Sequence, residues 1–318
     1  MILTVTLNAA IDRTVAVPNF RLGHRHRAVE SRTVAGGKGI NVARALRLLG
    51  RPVIATGFAG GPTGNRVMEE LRKEAILTDF TWIAGETRIN MAVVDPTSGE
   101  QTEINERGPA VSAEEVERFV ERLGYLADGA KICVLAGTLP PGAGEDLYGR
   151  LVEQLQERGV PTILDSEGEP MLAGLRAGAS VVTPNEGEAE ELVGQEFSDR
   201  DDVVHALSEL VRLGAGEAAI TRPDGCVASI GDGAERRVVE VRIRALDPVS
   251  TVGSGDAFLA GYTAARYDGR EREECLAYAV ACGADSTQHF GAGTVDRNQV
   301  ERLLGEVEVH DLEVHAEV

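Results

Sequence analysis

The chain has 318 residues, 43% of them hydrophobic with a further 37 glycines, so it can bury a large core and is too apolar to be intrinsically disordered. Lys and Arg total 32 against 51 Asp and Glu, and the formal net charge of −19 opposes binding to a polyanion such as nucleic acid. No apolar run approaches the roughly twenty residues of a membrane span, and the first residues lack the basic-then-apolar pattern of a secretory leader, so a cytoplasmic chain with no membrane partner is expected.

The opening MILTVTLNAA alternates as a strand does. From about residue 37 onward, short apolar runs alternate with helix-period stretches, the pattern of a parallel sheet covered by helices. Predicted helices lie at 39–49, 64–74, 113–123, 146–158, 186–193, 201–212, 255–265, 273–286 and 298–304, and predicted strands at 53–58, 132–136, 162–165, 180–183 and 218–221. Residues 14–34 and 82–105 break this rhythm. They lack helical periodicity and hold β-favouring runs with turns at Pro18–Asn19 and 95–99, which points to a small sheet outside the main one, read as a lid. An exposed small sheet leaves an apolar face and edges uncovered, and pairing of two lids in a homodimer is the expected remedy. The tail 306–318 alternates apolar and charged residues around His310 and His315 and reads as a terminal strand or a frayed end rather than a metal site. The four cysteines, Cys133, Cys226, Cys275 and Cys282, have no metal-ligand spacing and read as reduced core thiols.

Two segments carry chemistry. In STVGSGDAFLAG (250–261) the small residues Gly253, Ser254 and Gly255 precede Asp256 where a helix begins, so successive backbone N–H groups converge at a positive helix end and suit an anion. Asp256 alone would pass for an ordinary helix cap. The glycines on either side of Ser254 let backbone approach a ligand, and an aspartate inside an anion site suits phosphoryl transfer. In AGGKGINVARAL (35–46) glycines surround Lys38 at the opening of a second helix, cradling phosphate or making a tight turn, with Asn41 on the first turn. Neither the Walker A spacing nor the GxGxxG dinucleotide spacing is present, which counts against a P-loop ATPase and a nicotinamide enzyme. Only Lys38, Lys73 and Lys131 are lysines, so 29 of the 32 basic residues are arginine.

GGKGINVARAL and TVGSGDAFLAG, in this order and far apart, resemble the two signature regions of the PfkB (ribokinase-like) carbohydrate kinases, and the likeness covers essentially the whole chain. TLNAAID (6–12), TEINERGP (102–109) and LAGTLPPG (135–142) are similar to TLNPAID, TEINEPGP and SGSLPPG of the 1-phosphofructokinase and tagatose-6-phosphate kinase branch. The resemblance implies a three-layer ribokinase-like α/β fold, with a mostly parallel central sheet covered by helices and a small β-sheet lid. It further implies one kinase domain over 1–318, with the lid segments at about 14–34 and 82–105 inserted.

By the same resemblance Asp256 matches the catalytic base and Gly253, Ser254 and Gly255 the anion hole. Asn185 and Glu188 in TPNEGEAEEL fall on a motif that organises Mg²⁺ and its waters; an N-capped acidic helix accounts equally for the same residues. Asp12 matches the group that binds sugar hydroxyls, and Gly37, Lys38 and Asn41 match the substrate motif. Arg27 and Arg88 match basic residues of the lid that bind the substrate's phosphate, although Arg27 also belongs to the basic stretch RLGHRHR and Arg88 to a strand surface. Thr221 and Gly225 fall where the nucleotide lies, in a segment, TRPDGCV, shorter than the branch's usual SLGxxGA turn. Other departures are Ala9 and Arg107 for proline, Ala136–Gly137–Thr138 for SGS, and Thr183 for a common lysine. The implied activity is ATP- and Mg²⁺-dependent phosphorylation of fructose 1-phosphate to the 1,6-bisphosphate. Tagatose-6-phosphate or fructose-6-phosphate kinase activity, and a non-catalytic sugar-phosphate or nucleotide sensor, are the alternatives.

Overall fold

A computed structural model describes residues 1–312, so the part of the predicted tail that holds His315 lies outside the described residues. A ten-stranded sheet runs in the spatial order Glu308–Leu312, Arg237–Arg242, Gly225–Ile230, Glu217–Arg222, Val181–Val182, Thr162–Asp165, Ile132–Ala136, Ile2–Thr6, Val53–Ala59, Leu77–Trp82. From Glu217–Arg222 to Leu77–Trp82 every pairing is parallel, while the three strands at the other edge are antiparallel.

Successive residues of the parallel strands face opposite sides, because side chains in a strand alternate. Ile2, Val134, Ala136 and Ile163 therefore join one core with the helices Lys38–Leu48, Gly61–Lys73, Ser254–Tyr267, Arg272–Ser286 and Arg297–Leu304. Leu3, Val5, Cys133, Leu135 and Leu164 join the other with Ala113–Ala127, Leu147–Gln156, Gly168–Arg176, Glu186–Val193 and Arg200–Arg212. The result is the expected three-layer α/β fold with helices on both faces. All four cysteines are buried and free, as core thiols should be.

The strand Ile2–Thr6 lies between Val53–Ala59 and Ile132–Ala136, so the chain leaves it first to one side and later to the other. A crevice opens at such a switch point, outside the carboxyl ends of the parallel strands. Helix Lys38–Leu48 reaches that crevice because Gly39 lets it press on the first strand: a Cβ at position 39 would lie 2.4 Å from the Val5 carbonyl oxygen.

A second sheet of four strands has the order Glu30–Gly36, Ala10–Ala16, Arg88–Val94, Gln101–Ile104. Its strands take in Asp12 and begin and end closer to the main sheet than the sequence pattern of 14–34 suggests, since Ala10, Ile11 and Ala35 are buried. At its other end, Trp82 closes the edge strand Leu77–Trp82 of the main sheet rather than opening the small one. The hairpin Gly225–Ile230 and Arg237–Arg242 was not legible as strands, because GCVASI is buried along its whole length and shows no alternation. Helix Gly168–Arg176 was not legible either: GEPMLAGLR carries two glycines and a proline, and buries only Met171, Gly174 and Leu175.

Candidate active site

Two helices aim their first turns into the crevice. Helix Lys38–Leu48 follows Gly37, whose φ of 111° is open to glycine and strained for other residues, and it presents Lys38 and then Asn41 one turn on. Helix Ser254–Tyr267 follows Gly253, with φ 82°, where an added Cβ would sit 2.6 Å from the Ala292 backbone. No side chain caps this second helix; the Ser254 N–H donates back to the Thr251 carbonyl at 3.3 Å, and among the described residues the N–H groups of Gly255 and Asp256 have no such partner. Asp256 is the third helical residue and not the cap. Its Oδ2 accepts a 2.8 Å hydrogen bond from Asn41 Nδ2, which joins the two glycine-rich segments across 215 residues of sequence.

Charge is concentrated around Lys38. Its Nζ donates to Asp165 Oδ1 at 3.0 Å and lies 3.8 Å from Glu188 Oε1. Asp165 ends the strand Thr162–Asp165, and helix Glu186–Val193 brings Glu188 to the same place. Burial pushes the Asp256 carboxyl up to about 7, and the neighbouring Asp165 charge adds to the rise; Asn41, Lys38 and Arg44 oppose it. Burial alone would lower the Lys38 ammonium, but Asp165 and Glu188 outweigh it and hold Lys38 firmly protonated. Glu188 is raised by burial against the pull of Lys38.

Asn185 and Glu188 form a reciprocal capping box: Glu188 N–H donates to Asn185 Oδ1 and Asn185 N–H donates to Glu188 Oε2, both at 2.9 Å. This leaves Glu188 Oε1 turned toward Lys38. Two carboxylates, Asp165 and Glu188, thus share one ammonium, and such hard oxygen donors suit Mg²⁺ held largely through water and phosphate oxygens. Among the described residues no group of three or more His, Cys, Asp or Glu is placed to hold a metal ion directly. Thr221 adjoins this region, its N–H donating to the Pro184 carbonyl at 2.9 Å, and Gly225, with φ 149°, closes the tight turn after Arg222.

On the opposite side, Asp12 on strand Ala10–Ala16 accepts a 2.8 Å hydrogen bond from Asn90 Nδ2. Burial raises its carboxyl, opposed by Asn90 and Arg88. Gly36 leaves room for it: a Cβ there would meet Asp12 Oδ2 at 2.0 Å and push the carboxylate from its place. Arg88 braces the loops: Nε and Nη2 donate to the Asn8 carbonyl at 3.2 and 3.0 Å, and Nη1 to the Glu106 carbonyl at 2.8 Å. It lines a cavity of about 590 Å³ together with Asn8, Arg107, Thr138, Ser166 and Glu167. Arg27 is exposed on the connection between Ala10–Ala16 and Glu30–Gly36, and among the described residues it forms no ion pair.

Sequence reasoning passed over Asp165, Arg44 and Asn8. An aspartate closing the buried run TIL, at the carboxyl end of a parallel strand, was the available signal for Asp165. Asn8 Nδ2 donates to the Arg107 carbonyl and to Thr138 Oγ1, so the segments 6–12, 102–109 and 135–142 meet at one place.

A family model described as pfkB family carbohydrate kinase matches residues 3–298. The chain is 30% identical over 312 residues to a 1-phosphofructokinase of Borreliella burgdorferi, covering 98% of this chain and 99% of that protein. It is similar in structure to phosphofructokinase-2 from Escherichia coli in complex with substrates and products, with TM-score 0.88, 29% identity, and coverage of 96% of this chain and 98% of that one. A tetrameric inhibited form of that enzyme has also been solved. Ribokinase from Arabidopsis thaliana, complexed with ribose and ATP, shares the fold at TM-score 0.77 and 23% identity, over 95% of this chain and 98% of that one. Fold and site together define a carbohydrate kinase with a ribokinase-like fold. The chain belongs to the pfkB family. Among the described residues no helix is long and apolar enough to cross a membrane.

Proposed function

We propose that the chain is an ATP-dependent sugar-phosphate kinase that transfers the γ-phosphoryl group of ATP to the 6-hydroxyl of fructose 1-phosphate. The observation that carries this reading is Asp256: buried, raised to about 7, aimed by Asn41, and set in the uncapped N-terminus of helix Ser254–Tyr267. A carboxylate with such a pKa is matched to proton abstraction near neutral pH. Asp256 takes the hydroxyl proton as the sugar oxygen bonds to phosphorus and the bond to the β-phosphate oxygen breaks, releasing ADP. The backbone N–H groups of Gly255 and Asp256 face the charge that develops on the moving phosphoryl group.

Glu188, with Asn185 and Asp165 behind it, would hold Mg²⁺ through water, and the bound ion would supply charge neutralisation at the nucleotide phosphates. Thr221 and Gly225 flank the nucleotide, while Gly37, Lys38 and Asn41 meet the sugar. Asp12, carried by the small sheet, holds sugar hydroxyls. Arg88, from the same sheet, serves the sugar's phosphate with the guanidinium N–H bonds that its carbonyl partners leave over, and Arg27 joins it when the sheet closes as a lid and excludes water.

Steady-state kinetics with fructose 1-phosphate, tagatose 6-phosphate, fructose 6-phosphate and free fructose test the substrate. The highest kcat/KM is expected for fructose 1-phosphate; selectivity for either 6-phosphate would transfer the assignment to that sugar. Tight sugar-phosphate binding with no ADP from any of the four would identify a sensor instead.

The small sheet also bears Ile89, Met91 and Ile104 exposed on its strands, which supports pairing of two lids in a homodimer. Light scattering is expected to give twice the 33.8 kDa chain mass, and a monomeric mass would refute the pairing.

A further inference from the structure

We propose that Arg44 is a positioning residue that fixes the Asn41 amide so that its N–H, and not its carbonyl, faces Asp256. The inference rests on the reading of Asp256 as the base. All five guanidinium N–H groups of Arg44 are engaged. Nε and Nη2 donate to the two carboxylate oxygens of Glu74 at 2.6 and 3.1 Å. Nη2 also donates to the Ala35 carbonyl at 2.7 Å, and Nη1 to the Ala292 carbonyl at 3.1 Å and to Asn41 Oδ1 at 2.9 Å.

An asparagine amide has an acceptor end and a donor end of nearly equal shape. With a guanidinium that can only donate on one side and a carboxylate that accepts on the other, a single orientation satisfies both. Flipping the amide would set two donors against each other and a carbonyl against the carboxylate. Arg44 stands at i+3 from Asn41 on the same helix, so one helical turn supplies the geometry.

The same guanidinium gathers the rest of the site. The Ala292 segment packs against Gly253 on one side, where an added Cβ would meet Ala292 at 2.6 Å, and through Gly293 against the Asn41 backbone on the other. The Ala35 carbonyl leads directly into the glycines before Lys38. Arg44 therefore ties both glycine-rich segments to Glu74, just past the end of helix Gly61–Lys73.

The charged groups facing Asp256 are Asp165 from its strand and Lys38 and Arg44 from their helix. Asn41, Lys38 and Arg44 favour the ionised carboxylate, so losing Arg44 raises the Asp256 pKa directly and again by freeing Asn41. The acid limb of the pH–rate profile then moves to higher pH, because the base must be ionised to act.

The test compares pH profiles of kcat for wild type, Arg44→Met, Arg44→Lys and Glu74→Gln, with thermal unfolding measured for each. Arg44→Met is expected to lower kcat by roughly tenfold to a hundredfold, the scale of a misplaced reacting group, and to move the acid limb upward with KM for ATP little changed. Arg44→Lys keeps the charge but not the fork, and moves the limb less. Glu74→Gln leaves the Arg44–Asn41 contact in place, so its limb stays with wild type even if its unfolding temperature falls. In the Asn41→Ala background, adding Arg44→Met is expected to cost clearly less activity than it costs in wild type, because only the direct charge effect of Arg44 on Asp256 is then left to lose. Full additivity of the two losses, or an equal limb shift in Glu74→Gln, would overturn the proposal. The base itself is tested separately by Asp256→Asn: low turnover in that variant alongside an unshifted limb in Arg44→Met would sink the positioning role alone.

Discussion

In the Asp256→Asn variant, kcat is expected to fall by roughly two to four orders of magnitude, the scale on which a general base contributes. The substitution keeps the size of the side chain but removes the carboxylate that accepts the hydrogen bond from Asn41 Nδ2 and could take a proton. Sugar and nucleotide binding should change little, because neither depends on that proton. The linkage sign gives a second readout. The folded-state carboxyl is raised from 3.8 to about 7, so it binds a proton more readily in the folded chain than in the unfolded one. Its contribution to stability is complete below the unfolded value and is lost as pH rises through about 7. Asp256→Asn removes that dependence, so its unfolding temperature should gain on wild type between pH 4 and pH 7. In wild type, kcat/KM should decline as pH falls below about 7, reporting the same group in the free enzyme. Near-wild-type turnover in the variant would show that another group takes the proton.

Replacing Lys38 with Met has the second-largest expected effect. Lys38 supplies the positive charge that Asp165 and Glu188 share, and it holds Asp256 toward its ionised form. Without it, Asp165 and Glu188 lose their shared cation, the Asp165 charge acts on Asp256 unopposed by Lys38, and the Asp256 pKa rises further. At pH 7 the base is then mostly protonated and a phosphorylated substrate has lost a cationic partner. Turnover should drop by roughly a hundredfold to a thousandfold, the range seen when one electrostatic partner of a transition state is removed. The acid limb of the pH–rate profile should shift upward, and part of the lost rate should return at higher pH. Arg at position 38 keeps the charge and should retain the position of the limb. A loss of rate that is equal at every pH would mean that Lys38 does not act through Asp256.

How much of this was legible before the structure depends on the residue. Helix Glu186–Val193 was located to the residue because both of its ends are written in local residue choices: Asn185 and Glu188 cap one, and Gly194 adopts the left-handed conformation at the other. Asp256 and Asn41 stood out because glycines surround them, and the contact between them could not be read, since nothing local links positions so far apart. Asp256 could equally have been the helix cap; Gly253 occupies that place, which frees the carboxylate. Asp165 was hidden because TILD reads as the end of a buried strand, and its meaning comes only from Lys38, delivered by a helix on the opposite side of the switch point. Arg88 was legible as a cation near the sugar side, but its engagement with two backbone carbonyls was not.

The charge of −19 bears on the same site. The overall field repels phosphate, so under the proposed function capture of phosphorylated ligands would fall to local groups: uncapped helix N–H bonds, Lys38 and nearby guanidinium groups. The most direct test of the account follows the fate of one phosphoryl group. With fructose 1-phosphate, ATP and Mg²⁺, the protein should yield ADP and fructose 1,6-bisphosphate in equal amounts, and Asp256→Asn should bind the sugar phosphate yet yield almost none of either. ADP formed with inorganic phosphate in place of the bisphosphate, or no ADP from any ketohexose phosphate, would contradict it.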